Sequence, residues 1–315
     1  MDRRHRNAGP DQARQALLLD ELRERLSRAL PTDGTSEPLP GLHLRRASRP
    51  TALGRNVSYP AFCVIAQGSK ELWFGDQCFR YDPAHYLIVT AALPYASRIT
   101  EASAERPYLS VALALDPALV RSVLVEAGRG VLSTMPPLRA VAVSCLDAEL
   151  LDAVVRLVRL IEATPDDQRM LAPLVLREIV YRLCRGEQGD RLHYVGLPNG
   201  QGRRALEAVE RIRQAFDRPL RIEELARELA MSASSLHHQF KAVTGLSPLQ
   251  FQKQLRLLEA RRLLLREGLE VTAAALRVGY RDVSHFSRDY KRLFGVPPSR
   301  DVEPRPRPAE LSVGL

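Results

Sequence analysis

The chain has 315 residues, 45% of them hydrophobic, which is enough for two cores, and a formal net charge of +9 at pH 7. No apolar run approaches the roughly 20 residues that span a bilayer, and the N-terminal MDRRHRNAGPDQARQALLLDELRERL interrupts its short apolar run with acids and arginines, so neither a membrane anchor nor a signal peptide is expected and the chain reads as cytoplasmic. Cys63, Cys78, Cys145 and Cys184 lie far apart without a CxxC spacing, which indicates neither a zinc site nor a disulfide framework.

Residues 11–30 predict a helix with Leu18, Leu22 and Leu26 on one stripe, expected to dock on the neighbouring domain because leucines left in water would be a liability. The Pro/Gly/Ser-rich stretch Pro31 to Gly41 predicts a break, closing an N-terminal arm and linker over 1–40. Then come short β-branched and aromatic runs: FCVIAQG (62–68), KELWFG (70–75), QCFRYD (77–82), HYLIVTA (85–91), YASRIT (95–100) and YLSVALAL (108–115). Gly75-Asp76 marks a tight turn between two of them. Six strands without helices between them predict an antiparallel β-barrel or sandwich, and small barrels hold small molecules.

A metal-dependent barrel enzyme would need clustered His and Glu. This region has only His43 and His85 and no HxH pair, so both read as surface or satisfied core histidines, and neither a metal nor another cofactor is expected. Cys63 and Cys78 sit within strands and read as small buried hydrophobes. Trp73 is either the wall of a pocket or plain core.

After Leu115 the pattern becomes helical. Asp116 is placed to cap PALVRSVLVEAG, with Pro117 in the first turn and Gly128 at the end. A second helix spans about Asp147 to Glu162, whose Leu150, Val154, Leu157, Val158 and Ile161 either pack on the barrel or pair with another subunit. A third runs from about Leu171 to Cys184. Glycines and a proline in 187–202 predict a linker between a sensor region over 41–186 and a C-terminal region over 203–300, and the Pro/Arg-rich tail 301–315 is expected to be disordered.

The C-terminal region repeats itself. Leu236, Phe240, Lys241, Gly245 and Pro248 recur 50 positions later as Phe286, Tyr290, Lys291, Gly295 and Pro298. In the first copy Ile222, Leu225, Ala226 and Leu229 form the buried face of a short helix, with small residues at 226 and 230 for close crossing. Ser232 is a candidate N-cap for a second helix, and Leu236, Phe240 and Val243 face inward. Two short helices joined by a tight turn are a helix-turn-helix, whose second helix enters the major groove of double-stranded DNA.

With Leu236 and Phe240 buried, Ser234, Ser235, His237 and His238 point outward toward base edges, with Lys241 toward phosphate. In the second copy Asp282 caps, Phe286, Tyr290 and Leu293 are buried, and Val283, Ser284, Ser287 and Arg288 face out beside Lys291. Arg288 suits a guanine, Val283 a thymine methyl, and Lys291 a phosphate. Residues 201–300 hold 19 Lys/Arg against 11 Asp/Glu, so nearly all the excess charge lies where a polyanion would bind. The nineteen residues Pro248 to Arg266 predict a connecting helix of about 28 Å, which could set two reading helices on successive major-groove faces about 34 Å apart.

Three motifs carry a resemblance: LAxxLAMSxSxLxxxFKxxxGxSP from Leu225 to Pro248, LRxxxARxLL from Leu255, and AxxVGY…FSRxYKxxFGxxP from Ala275 to Pro298. Together they resemble the DNA-binding domain of the AraC/XylS transcriptional regulators, and PAFCVIAQGSKEL, YDPAHYLIVTAALP and RPYLSVALALD resemble one subgroup's sensor domain. The resemblance implies an α+β two-domain protein. A cupin-like antiparallel barrel with trailing helices would bind a small-molecule effector, and an all-α double helix-turn-helix would bind DNA. It further implies a transcriptional activator that contacts RNA polymerase, and it favours the Asp147–Glu162 helix as a homodimer contact. The alternative is a barrel enzyme fused to a DNA-binding module.

Overall fold

The strand-forming runs pair as expected, and they recruit partners that the sequence pattern hides. In a computed structural model describing residues 8–129, 138–196 and 201–301, with side chains from 11 and 204 in the outer segments, ten strands form. The six expected runs are β4 (Ala61–Gln67), β5 (Ser69–Phe74), β6 (Gln77–Tyr81), β7 (His85–Val89), β8 (Pro94–Glu101) and β9 (Tyr108–Ala114). To these are added β1 (Gly34–Leu39), β2 (Leu42–Ala47), β3 (Gly54–Val57) and β10 (Val141–Cys145).

The break expected at Pro31–Gly41 is therefore largely strand. β1 leaves little mark in the sequence because it is an edge strand with a proline and an exposed alternate face, and β3, GRNV, has no fully buried residue at all. The Gly75-Asp76 turn joins β5 to β6 as expected, with Gly75 at φ +62°.

The strands make two antiparallel sheets, ordered β1-β2-β9-β4-β7-β10 and β3-β8-β5-β6. The barrel-like unit is thus an open sandwich of two facing sheets rather than one closed ring. The larger sheet is covered on both faces. Phe62, Val64 and Ala66 of β4 pack toward the helices, while Cys63 and Ile65 face Leu72, Phe74 and Tyr81 of the smaller sheet. Burial on both sides is why AFCVIAQ reads as an unbroken apolar run.

Helix α1 (Ala8–Ala29) docks as expected, with Leu18, Leu22 and Leu26 buried against α3 (Ala148–Arg159). Glu21 accepts two bonds of 2.7 Å from Arg159, and Arg25 pairs with Glu162 at 2.8 Å. Asp147 and Asp116 cap α3 and α2 (Pro117–Glu126). The α3 stripe is spent inside the chain: Leu150, Val154, Leu157 and Val158 are buried beneath α1 and α4 (Pro165–Arg185), so this helix has no apolar face left for another subunit. The expected linker also shortens. Residues 189–196 form α5 (Gly189–Gly196), which packs on α2 with Leu192 and Val195 buried; of the expected linker 197–200 lie outside the described residues, as does the expected tail beyond 301.

The C-terminal region is all helix: α6 (Gln201–Gln214), α7 (Ile222–Glu228), α8 (Ala233–Thr244), α9 (Pro248–Arg266), α10 (Val271–Arg277), α11 (Val283–Phe294) and α12 (Pro298–Asp301). Ser232 caps α8, Asp282 caps α11, and Ser247 with Gln250 forms a capping box at the start of α9. Gly245 and Gly295 close α8 and α11 in the left-handed region.

The repeat is not strictly periodic. The first helices begin 49 positions apart (Ile222, Val271) and the second helices 50 (Ala233, Val283), so the second copy has one more residue in its turn. The left-handed residue of that turn is Ala230 in one copy and Gly279 in the other. Ala230 is exposed, so its small size serves the turn and not a helix crossing; Ala226 is the buried close contact.

Candidate nucleic-acid interface

Each recognition helix is held by its inner face. In α8 Leu236, Phe240 and Val243 are buried, with Phe240 edge-on to Phe251 of α9 at 5.4 Å. In α11 Phe286 and Tyr290 are fully buried within Tyr280, Phe294 and the apolar side of α9. Apolar residues every three to four positions leave the opposite faces to water. Ser234, His237, His238 and Lys241 are exposed on α8, and Ser284, Arg288 and Lys291 on α11.

Three expected site residues are only half-exposed. The Ser235 hydroxyl accepts a bond from Gln239 at 3.1 Å, Ser287 is half-buried, and Val283 packs in part against the second core. The Arg288, Lys241 and Lys291 side chains make no hydrogen bond or ion pair among the described residues. Backbone N–H groups of His285 and Ser284 hold the Asp282 carboxyl below the usual carboxylate range, so the cap is ionised at the start of α11.

Sequence patterns did not reveal the residues that fix these helices in space, and most lie on α9. Lys253 donates to Asp289 of α11 at 2.8 Å, and Asp289 also accepts from the Tyr280 hydroxyl at 3.3 Å. Arg261 reaches Asp301, which accepts from Tyr290 as well, at 2.8 Å in each case. Arg256 binds the carbonyls of Phe216 and Arg218 ahead of the first copy (2.6 and 2.8 Å) and that of Gly279 in the turn of the second (3.0 Å). One side chain of the rod thereby ties the segment that leads into the first copy to the turn of the second. The signal was present as arginines within the apolar run LRLLEARRLLL, which a helix buried on one side keeps only when they find partners.

The two copies differ in what lies behind them. The first copy's core is continuous with the inter-sheet core, since Leu225, Leu236, Phe240 and Phe251 belong to the cluster that includes Leu72, Phe74 and Val141. The Ala140 N–H donates to the Val243 carbonyl at 3.0 Å. At the β5–β6 turn a Cβ on Gly75 would stand 2.6 Å from the Gly245 carbonyl oxygen, so the hairpin tip meets the end of α8 backbone to backbone. The second copy has a core of its own built with α9.

Within the sandwich the cysteines and the tryptophan part ways. Cys63 is a buried hydrophobe whose thiol burial pushes up to about 12, but Cys78 is exposed. Trp73 is half-buried on the outer face of β5 beneath Arg98, 5.4 Å from the ring centre, and is not part of the core. His43 lies 3.8 Å from Glu37 and edge-on to Tyr59, and His85 pairs with Asp82 at 2.8 Å. Among the described residues no group of three His, Cys, Asp or Glu could hold a metal ion, and no helix is long and apolar enough to cross a membrane.

Comparison with known proteins agrees with this geometry. Residues 38–191 match the family described as AraC-type transcriptional regulator N-terminus, and residues 225–303 match a helix-turn-helix domain family. The HTH-type transcriptional activator RhaS of Klebsiella pneumoniae (strain 342) is 40% identical over 80 residues, 25% of this chain and 28% of RhaS; the Salmonella arizonae RhaS gives the same figures. The chain thus aligns with little more than a quarter of those relatives' length. Among solved structures, ToxT from Vibrio cholerae superposes with a TM-score of 0.53 at 14% identity, covering 83% of this chain and 97% of ToxT. Its unsaturated fatty acid-bound form gives 0.52 at 13% identity, covering 85% and 96%. At such identity the likeness is one of fold, and it extends over both regions. With an N-terminal region of the AraC type followed by a helix-turn-helix domain, the chain belongs to the AraC family of transcriptional regulators.

Proposed function

We propose that the protein is a sequence-specific transcriptional activator that grips two successive major-groove faces and answers to a small molecule held in its N-terminal sandwich. The observation that carries this reading is the pair of exposed recognition faces on α8 and α11, mounted on one 19-residue helix through Phe240 against Phe251 and Asp289 against Lys253. Ser234, Ser235, His237 and His238 read bases from α8, and Val283, Ser284, Ser287 and Arg288 from α11. Lys241 and Lys291 neutralise phosphates. Arg288 is the one permanent cation among the base-facing positions, so α11 contributes more per contact.

Activation follows the character of RhaS, and effector control is supported by the fatty acid-bound form of ToxT. The continuous core between sandwich and first copy supplies a route: a ligand that favours one packing of the sheets favours one placement of α8. The division into arm 1–40, sensor 41–186, linker 187–202 and DNA-binding region 203–300 then needs one adjustment, with α1, β1 and α5 serving the sensor and the linker reduced to the residues between α5 and α6. As an activator the protein would contact RNA polymerase. It would form a homodimer through the outer face of α4, where Met170, Leu174 and Tyr181 are exposed. The protein acts by binding, without catalysis.

The test is to map genome-wide binding sites in cells grown with and without candidate metabolites and to footprint them with purified protein. A protected element of about two helical turns, occupied differently with one metabolite, is the expected result. Uniform protection without a discrete site overturns the reading. Stoichiometric iron or manganese in the purified protein would favour an enzyme instead.

A further inference from the structure

The interior of the sandwich holds a charge that its own fold does not answer. Lys70 lies on β5, where Leu72 and Phe74 share its inward face and Glu71 and Trp73 point out. The residue is 1% exposed, and its Nζ has no hydrogen-bond partner among the described residues. Tyr81 stands directly across the β5–β6 ladder from it, and Tyr108 reaches in from β9 of the facing sheet. Both rings are fully buried, and neither hydroxyl makes a regular hydrogen bond, although the two lie close to each other and the Tyr108 hydroxyl lies close to Ser110. The nearby acids are engaged elsewhere, Glu71 with Arg98 at 2.8 Å and Glu101 with Arg80 at 2.7 Å. Arg45 of β2 adds a second positive charge at the edge of the cluster and forms no ion pair among the described residues, while Cys63, Tyr95 and Ser110 are further polar neighbours.

A buried amine and two buried phenols without an acceptor are an incomplete set, because each buried donor is costly until it is paired. Burial and the Arg45 charge push the Lys70 amine down to about 7, so an anion arriving there would restore its charge. We infer that Lys70, with the Tyr81 and Tyr108 hydroxyls, is the head-group site for a small organic carboxylate whose apolar body lies between the two sheets. The donors supply one charge and two directional bonds, which matches a monoanion. A phosphate dianion would need backbone amides as well, and those of the surrounding strands are committed to their ladders. Ile65, Leu72, Phe74 and Leu87 are the packed apolar side chains around the cluster, between which the body would have to insert as the sheets part. The assignment rests on the effector-binding reading above and makes it chemically specific.

The experiment uses the full chain with benzoate and hexanoate as probes, each set against its primary amide, in calorimetric titrations at about pH 6.5, just below the Lys70 pKa. One of the acids is expected to bind wild-type protein at least tenfold more tightly than its amide. Lys70→Met, which keeps the length of the side chain and suits an apolar interior, is expected to lose that preference, and Tyr108→Phe to weaken acid binding severalfold with the fold intact by circular dichroism. If Lys70→Met fails to fold, the Tyr108→Phe titration decides. Amides binding as well as acids, or acid binding indifferent to both substitutions, overturns the head-group site while leaving an effector domain in place. Failure of both series to bind wild-type protein also overturns the site. The effector reading is judged separately, by whether operator occupancy responds to metabolites.

Discussion

Lys253, one-third of the way along the connecting helix, donates to Asp289 on the inner face of the second recognition helix at 2.8 Å. Asp289 is buried and Lys253 only part-covered, so the pair is a latch closed from the solvent side. It sets the roll of α11 about its own axis, and with it the direction in which Ser284, Ser287 and Arg288 point. The corresponding residue of the first copy is Gln239, whose side chain donates within its own helix, to the Ser235 hydroxyl. The first recognition helix is oriented by apolar packing on α6, α7 and α9, in a core continuous with the sandwich, and the second adds a charged latch to its apolar seat on the rod.

Asp289→Ala leaves Lys253 and the Tyr280 hydroxyl without their acceptor and is expected to cost about 2 kcal/mol, less than a fully buried pair because Lys253 keeps access to water. Chemical denaturation measures the loss. Footprinting should show weakened protection confined to the half of the site read by α11.

Arg288→Ala is expected to lower affinity for the operator by roughly 1–3 kcal/mol while leaving random-sequence DNA nearly unaffected. Lys241→Ala and Lys291→Ala are expected to weaken both DNAs alike and reduce the salt slope by about one each. Titrations at several salt concentrations separate the two behaviours. Equal losses on both DNAs would remove Arg288 from the base-reading set.

Ala230 and Gly279 occupy the same left-handed step in the two turns. Ala230 is exposed and loses nothing by losing its Cβ, so Ala230→Gly is expected to stabilise by about 0.5–1 kcal/mol. Gly279→Ala should destabilise by more than about 1 kcal/mol, because the φ of +85° is strained for a side chain and the new Cβ would overlap the Asp217 carbonyl oxygen. Thermal unfolding of the two variants should move in opposite directions.

Lys70 makes folding depend on pH. Its folded pKa, about 7, lies below the ordinary 10.5, so between these values the unfolded chain holds a proton that the folded one has released. Stability therefore rises as pH climbs through that window, and the full burden of the buried amine is present below about 7. Lys70→Met removes the burden. Its stability advantage over wild type in urea titrations should be largest below neutrality and shrink toward pH 10. An advantage independent of pH would place the charge elsewhere.

The C-terminal architecture was legible in the sequence because short helices carry their instructions locally. Ser232, Asp282 and Ser247 before apolar spacings of three and four, with Gly245 and Gly295 after them, specify where each helix begins, ends and turns its buried face. From that face the outward residues follow by geometry, which is why spacing alone picks out Ser234, His237, His238, Ser284 and Arg288. The central strands β4 to β9 were legible for a similar reason, since strands buried on one or both faces announce themselves in β-branched and aromatic runs. What only tertiary structure decided was partnership. β1, β3 and the helix α5 lack a strong local pattern and are held by neighbours far away in the chain, and the α3 stripe was visible but not the helix that covers it. Lys70 shows the limit most plainly: one lysine among strand residues looks like surface, and only the facing sheet, by closing over it without bringing an acid, turns it into a buried cation that lacks a partner.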